Sequence, residues 1–345
     1  MKNILFCLLS IIALVSCGTE DKYSESFTKV SDYKIFGKLH NEIVSDYIDK
    51  CSKDSSLIKD KKSYEAIYDF VKESINKTDI PTNKQGISQS LSRQKDFLNL
   101  NMVMNNHVYN KRLKVKRLPL TDSMIEKGLE NDSLVISSPE DFIAIMDYAS
   151  KHNIIDAESY KYLKELFELS VKGANMEVSR SEFQNELSNI NMNLNMQECK
   201  SSSITSNENR KDIQPSQCMQ TVAPTIEIAK ASYELWCDKL YDRVYEMDSC
   251  ITKEEADTIM SYCIPPFVAS DAGGAVMGAV MNAYGQWKKD GKISSWGDIG
   301  WSAASGAIMS SIGIETKLGQ FLFKLIEPGW KVCVDAFWNV VFKLW

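Results

Sequence analysis

Apolar residues recur every three or four positions through most of this chain, which is the spacing that puts them on one face of an α-helix. The clearest such segments are 36–51, 63–75, 87–109 and 224–247. Strict alternation of apolar and polar residues, which would indicate strands, is scarce. The pattern predicts an all-α protein with an N-terminal helical bundle or stack and a C-terminal helical domain.

Residues that favour helix starts mark further helices in the middle of the chain. Ser138 precedes Pro139 and two acidic residues, and Ser179 stands three positions before Glu182. A serine before a proline suits the cap and first position of a helix, and serine with glutamate three residues later forms a capping box. Asp156 opens another predicted helix. These short helices are expected to form a compact bundle.

Glycine, alanine and serine dominate the stretch 270–314, in two runs separated by the polar connector KKDGKISS. Residues four apart lie on the same face of a helix, so each run presents a face of small side chains. The residues assigned to this helix packing are Gly274, Gly278, Ala279, Gly306 and Gly313. Because such faces let two helix backbones approach closely, the stretch predicts a Gly/Ala-rich helical hairpin.

Two features favour burial of this hairpin in the protein rather than in a membrane. Each run is shorter than the roughly 20 residues that span a bilayer. In addition, Asp271, Asn282 and Asp298 lie within the runs, and such residues are costly in lipid. The aromatic-rich tail at 317–345 is expected to cover the hairpin.

A change of composition predicts the division into domains. The segment 191–222 is rich in Asn, Ser and Gln and poor in large apolar residues, which is typical of a loop or linker. It would separate a helical domain at 35–190 from a C-terminal helical domain at 223–345.

The N-terminus has the anatomy of a targeting signal. Lys2 precedes an apolar run at 4–15, and Leu14-Val15-Ser16-Cys17 follows. This tetrapeptide resembles the lipobox of bacterial lipoproteins. The resemblance implies a signal peptide at 1–16, fatty acylation (palmitate) of Cys17, a lipidated linker at 17–34 and an anchor in the outer membrane, with the periplasmic and surface leaflets both left open.

Three further short segments resemble bacterial lipoproteins of the gut. The acidic pair Glu20-Asp21 is similar to signals for surface export, and 36–42 is similar to a segment of uncharacterised lipoproteins with Gly/Ala-rich C-terminal regions. The tripeptides at 122–124, 132–134 and 257–259 resemble an O-glycosylation motif or are ordinary helix-start residues. None of these resemblances implies an activity.

Seven cysteines follow Cys17, and disulfides form readily outside the cytoplasm. The candidates for disulfide pairing are Cys199, Cys218, Cys237, Cys250 and Cys263. Cys199 and Cys218 flank a polar segment that a bridge between them would close, whereas the other three recur at equal spacing. The connectivity is left open, and the tight ligand pairs of a zinc site are missing.

One dense basic cluster interrupts a chain whose formal net charge is −6. Its members are Lys111, Arg112, Lys114, Lys116 and Arg117. The cluster is either a solvated connector or a contact for anionic lipid headgroups or glycans. The acidic balance of the rest gives no case for a nucleic-acid partner.

Motifs for common catalytic and metal chemistry are missing from the sequence. The histidines are His40, His107 and His152; none stands in a metal-binding spacing, and no nucleophile elbow or phosphate loop is present. We interpret each histidine as a packed or exposed helix residue. The sequence therefore predicts no metal, no cofactor and no enzyme, although a site assembled from distant residues is the third hypothesis.

The leading hypothesis is a membrane-anchored lipoprotein that acts as a binding or structural module of the cell envelope, with an envelope protein or glycan as partner. The alternative is a membrane-active effector, because Gly-rich helices flanked by Trp287, Trp296 and Trp301 resemble the hairpins of bacteriocins and pore-formers. Trp favours membrane interfaces.

Overall fold

A computed structural model describes residues 30–53, 64–79, 120–130, 139–174, 177–204, 216–239 and 266–313. The α-helices within these ranges are α1 (Lys34–Lys53), α2 (Tyr64–Lys77), α3 (Asp122–Glu130), α4 (Pro139–Lys151), α5 (Ala157–Ala174), α6 (Arg180–Ile204), α7 (Gln217–Tyr233), α8 (Pro266–Asp290) and α9 (Trp296–Gly313). No strand occurs in these ranges. The predicted all-α fold and its Gly/Ala-rich helical hairpin are confirmed.

The hairpin formed by α8 and α9 lies at the centre of the described structure. It packs against α1, α5 and α7, and has smaller contacts with α2 and α4. Every residue of 268–280 and of 299–312 is buried. Within the described ranges, no helix combines the length and the apolar character needed to cross a bilayer.

Helix α1 lies early in the chain and packs on helices from its later part in one hydrophobic core. Phe36 is buried against Trp301 of α9, with the two rings edge to face and their centroids 4.6 Å apart. The same helix also packs along α7. The described helices of the predicted domains at 35–190 and 223–345 thus share a single core, which does not match a division into separate folding units.

The prediction of a linker at 191–222 is wrong wherever the structure describes this segment. Residues up to Ile204 belong to α6, and residues from Gln217 belong to α7. A buried stripe of helical spacing begins before this segment and continues into it; the stripe consists of Phe183, Leu187, Ile190 and Leu194. Asn and Ser are weak helix formers, but packing of this stripe decides the local structure. Residues 205–215 lie outside the described ranges.

The expected start of α7 at Pro224 is also wrong. Ser216 caps the helix eight residues before the expected start; its Oγ accepts a hydrogen bond from the Met219 N–H at 3.1 Å. Pro224 lies inside the helix. After Tyr233 the chain continues as a π-helical turn, Glu234–Lys239.

The predicted helix starts in the middle of the chain are confirmed. Pro139 is the first residue of α4. The Ser179 N–H donates to Glu182 Oε2 at 2.7 Å, and the Glu182 N–H donates to Ser179 Oγ at 3.2 Å, which is the reciprocal geometry of a capping box. Asp156 accepts from the Ser159 N–H at 2.8 Å at the start of α5.

Candidate functional site

Glycines hold α8 against α9 at backbone contact. A Cβ atom added to Gly274 would lie 2.3 Å from Ser310 Oγ and 2.6 Å from the Gly306 carbonyl oxygen. A Cβ atom added to Gly278 would lie 2.2 Å from the Ser302 carbonyl oxygen. These partners run in opposite directions along the two helices, so the pair is antiparallel. No side chain larger than hydrogen fits at either glycine.

The other packing residues predicted for the hairpin take simpler positions. Ala279 is fully buried beside the contact at Gly278. Gly306 contributes the carbonyl oxygen that faces Gly274, and Gly313 is the last residue of α9.

Two further glycines, which the sequence pattern did not indicate, let α1 pack closely against α7 and α9. A Cβ atom added to Gly37 would lie 2.7 Å from both the Ala231 Cβ and the Glu227 carbonyl oxygen of α7. On α9, a Cβ atom added to Gly300 would lie 2.5 Å from the Phe36 ring. These contacts bring the next turn of α1, which contains His40 and Asn41, against α7 and α9.

A buried polar cluster lies where α1, α7, α8 and α9 meet. Its centre is the Asp271 carboxylate of α8, and we name the whole cluster the Asp271 network. Its members are His40, Ser232, Trp236, Asp271 and Ser311. All five are at most 1% exposed.

Four side chains converge on the Asp271 carboxylate. Oδ2 accepts hydrogen bonds from Ser232 Oγ at 2.7 Å and from Trp236 Nε1 at 3.0 Å, and it lies 3.1 Å from His40 Nε2. Ser311 Oγ donates to Oδ1. The π-helical turn after α7 is what carries the Trp236 indole to this position.

Asn41 fixes the orientation of the His40 ring. The Asn41 amide nitrogen donates to the Ala231 carbonyl at 2.9 Å. Its Oδ1, which can only accept, therefore faces His40 Nδ1 at 2.9 Å. The other ring nitrogen, Nε2, is thereby directed at Asp271 Oδ2, 3.1 Å away.

The residue types Ser, His and Asp invite comparison with an acyl-transfer triad, but their geometry differs. In a triad, the serine and the aspartate bind opposite nitrogens of the histidine. Here Ser311 Oγ donates to Asp271 and lies 3.5 Å from His40 Nε2, the same nitrogen that faces Asp271. The hydroxyl is also closed off from solvent. The network joins side chains of α1, α7, α8 and α9 and of the π-helical turn.

Sequence reasoning missed this network because its members are far apart in the chain. His40 was interpreted as an ordinary helix histidine, and Asp271 only as an obstacle to membrane insertion. One signal was present: His40 falls on the apolar stripe of α1 formed by Phe36, Leu39 and Ile43. A polar residue on a buried stripe needs a partner.

A second polar cluster closes the hairpin at its turn. Gln286 Oε1 accepts hydrogen bonds from the backbone N–H groups of Ser294 and Ser295 at 2.9 and 2.7 Å. Gln286 Nε2 donates to the Ser295 carbonyl at 2.8 Å and to Asn282 Oδ1 at 2.6 Å. Gly291 has φ +66°, a conformation that glycine adopts without strain.

Of the remaining predicted site residues, the cysteines whose side chains the structure describes are Cys218 and Cys237, and both are buried thiols. They lie at opposite ends of one continuous helix, about 28 Å apart at 1.5 Å per residue, so they do not pair with each other. Cys17, Cys250, Cys263 and the basic cluster lie outside the described residues, as does the side chain of Cys199. Pairings of these cysteines stay predictions.

The other candidate residues occupy separate places. His152 is exposed and stacks on Tyr148, and His107 lies outside the described ranges. Trp301 is buried, whereas Trp287 and Trp296 are half-buried. No cluster of three or more metal-ligating side chains occurs in the part of the chain that the structure describes.

In comparisons with known proteins, no family, no curated protein and no solved structure matches this chain.

Proposed function

We propose that this protein is a lipoprotein of the outer membrane whose helical body is a binding or structural module of the cell envelope. The acyl anchor on Cys17 rests on the resemblance of Leu14-Val15-Ser16-Cys17 to a lipobox. Its partner is an envelope protein or a glycan, which the body meets while Cys17 holds it at the membrane.

The observation that supports a non-catalytic body is the closure of the Asp271 network. His40, Asp271 and Ser311 are the residue types most suited to acid–base or nucleophilic chemistry. All three are buried and hydrogen-bonded to one another. Side chains that are hydrogen-bonded to one another between packed helices are not available to a substrate.

Lipidation is tested by replacing Cys17 with Ala. The wild-type protein should incorporate radiolabelled palmitate and sediment with the outer membrane, and the Cys17→Ala variant should do neither. Cys51→Ala, which leaves the lipobox unchanged, is the matched control and should behave as wild type. Labelling of the Cys17→Ala variant to the wild-type level would refute the proposed anchor.

A second candidate function, membrane activity of the hairpin, is favoured by its central position. Helices α8 and α9 are enclosed by α1, α5 and α7, so this hairpin is available for release if the outer helices separate. Against release, Asp271 and Asn282 are held by hydrogen bonds within the protein.

Dye release from lipid vesicles distinguishes the two functions. The full chain is added at micromolar concentration to vesicles of outer-membrane lipid. An effector would release the dye, whereas a binding or structural module would leave the vesicles intact. Gly278→Leu, which breaks the packing of α8 on α9, is the matched variant, and it should increase any release that requires the hairpin to open.

A further inference from the structure

The turn of the hairpin presents charged and aromatic side chains close together. Lys288, Lys289 and Lys292 are exposed. Three large apolar side chains lie among them and are only partly covered by the core: Trp287, Ile293 and Trp296. The turn, residues 287–296, thus combines a basic surface with an apolar one.

This turn is held in one shape. Gln286 bonds to both Ser294 and Ser295, which fixes the connection between the helices. Ser294 Oγ donates to Asp290 Oδ2 at 3.1 Å, so the one acidic side chain of the turn is tied into the turn itself. A fixed turn loses little conformational entropy when it makes a contact.

The charge of the turn is opposite to that of the molecule. Residues 287–296 contain three lysines and one aspartate, whereas the formal net charge of the chain is −6. An acidic molecule with a basic end is oriented by a negatively charged surface, because that surface attracts the end and repels the rest.

We propose that the turn at 287–296 is a peripheral contact for an anionic lipid surface. Tryptophan favours the headgroup level of a bilayer. Lysines beside it extend their ammonium groups to lipid phosphates and are attracted to an anionic leaflet. The helices behind the turn stay packed in the protein.

This contact needs no acyl chain and so does not rest on the proposed lipoprotein function. The test uses the full chain with Cys17→Ser, which removes the acylation site, and vesicles of phosphatidylcholine with or without phosphatidylglycerol. We expect co-sedimentation with the anionic vesicles, weakened by 0.5 M NaCl because salt screens surface charge. Binding to neutral vesicles should be at least tenfold weaker.

The decisive variant is Lys288→Gln/Lys289→Gln/Lys292→Gln. It should bind anionic vesicles at least tenfold less tightly than its parent. Lys127→Gln/Lys161→Gln/Lys172→Gln makes the same change of net charge on exposed positions of α3 and α5, and it should keep most of the binding. Circular dichroism checks that both variants retain the parental helix content.

Four outcomes would overturn the proposal. The first is equal binding by the two triple variants, and the second is failure of the parent chain to prefer anionic vesicles. The third is loss of anionic binding when Lys111, Arg112 and Lys114 are replaced by Gln while the turn is intact, since the basic cluster would then be the contact. Leakage that the turn variant abolishes would also contradict a peripheral contact, because it requires insertion.

Discussion

The Asp271 carboxylate is the group on which the junction of four helices is centred. Its carboxylate is fully buried and accepts hydrogen bonds from side chains of α7 and α9 while it pairs with His40 of α1. Burial of a polar group is costly unless the group is hydrogen-bonded. The stability of the four-helix junction therefore depends on keeping these partners together.

The Asp271→Asn variant should be less stable than the wild type by about 1 to 3 kcal/mol, because it replaces one of the two acceptor oxygens at which the buried partners converge. Chemical denaturation followed by circular dichroism measures the change in the free energy of unfolding.

Asp290→Asn is the control for the loss of a carboxylate, because Asp290 is exposed at the hairpin turn. It should change the free energy of unfolding by less than about 1 kcal/mol. An Asp271→Asn variant as stable as this control would show that the Asp271 network does not stabilise the junction.

The capping box of α6 gives a pH-dependent prediction. The backbone N–H of Ser179, and then its hydroxyl, bond to the Glu182 carboxylate and lower the pKa of that carboxyl. A lowered folded-state pKa contributes stability above the unfolded pKa of about 4.3, and this contribution is lost as the pH falls through the folded-state pKa.

Glu182→Gln should therefore unfold at a lower temperature than the wild type at pH 7, and this difference should shrink as the pH falls below about 4. Glutamine resembles the protonated glutamate, so the two proteins converge in acid. Glu126→Gln, at an exposed position of α3, should show no such convergence. A difference that is constant between pH 7 and pH 3 would contradict the expectation.

At this scale the sequence predicted the caps but not the network. Ser179 and Glu182 are three positions apart, so a local pattern contains both partners. His40 and Asp271 are brought together only by the packing of α1 on the hairpin. No spacing rule relates residues that meet through tertiary structure.

At the scale of elements, the hairpin depends on two glycines. Atoms of α9 occupy the space that a side chain at either position would need. The Ser302 carbonyl occupies the place of a Gly278 side chain. We expect Gly278→Ala to destabilise the protein by about 3 kcal/mol, the upper part of the range for overpacked cores. The urea midpoint of unfolding reports the change.

Gly291→Asn is the matched substitution at a glycine of the same hairpin. No atom lies within 4 Å of a Cβ added there, and asparagine tolerates a positive φ better than most residues. This variant should remain within about 1 kcal/mol of the wild type. If both substitutions had equal effects, the close approach of α8 and α9 would not be the cause.

The elements themselves were predictable where periodicity and composition agree. The hairpin at 270–314 combines helical spacing with small residues, and both features indicate the same structure. In α6 they conflict, because a stripe from Phe183 to Leu194 lies among asparagines and serines. Composition predicts a linker there. This prediction is wrong because packing of the apolar stripe extends the helix.

At the scale of the whole molecule, α1 lies early in the sequence and packs on helices from its later part, so that both parts share one core. Phe36 packs on Trp301 and above Gly300, although these residues are far apart in the chain. The boundary inferred from composition could not reveal this, because a shared core is a property of packing between distant segments.

Phe36→Ala should cost about 3 to 5 kcal/mol and should destabilise α9 together with α1. Thermal unfolding followed by far-UV circular dichroism and by tryptophan fluorescence should give one coincident transition, shifted equally in both signals. Met124→Ala, at an exposed side chain, is the control and should shift neither. Two separate transitions, with only the first displaced, would indicate independent domains.

The hydrogen bond from the Trp236 indole to Asp271 has a spectroscopic consequence. Its Nε1–H is buried and bonded, whereas the rings of Trp287 and Trp296 are partly open to solvent. In deuterated water the indole proton of Trp236 should therefore outlast those of the other two, and its lifetime should follow opening of the junction where α1, α7, α8 and α9 meet. The exchange lifetime of this one NMR resonance thus reports how often the outer helices separate from the hairpin. The measurement needs no label and no substitution.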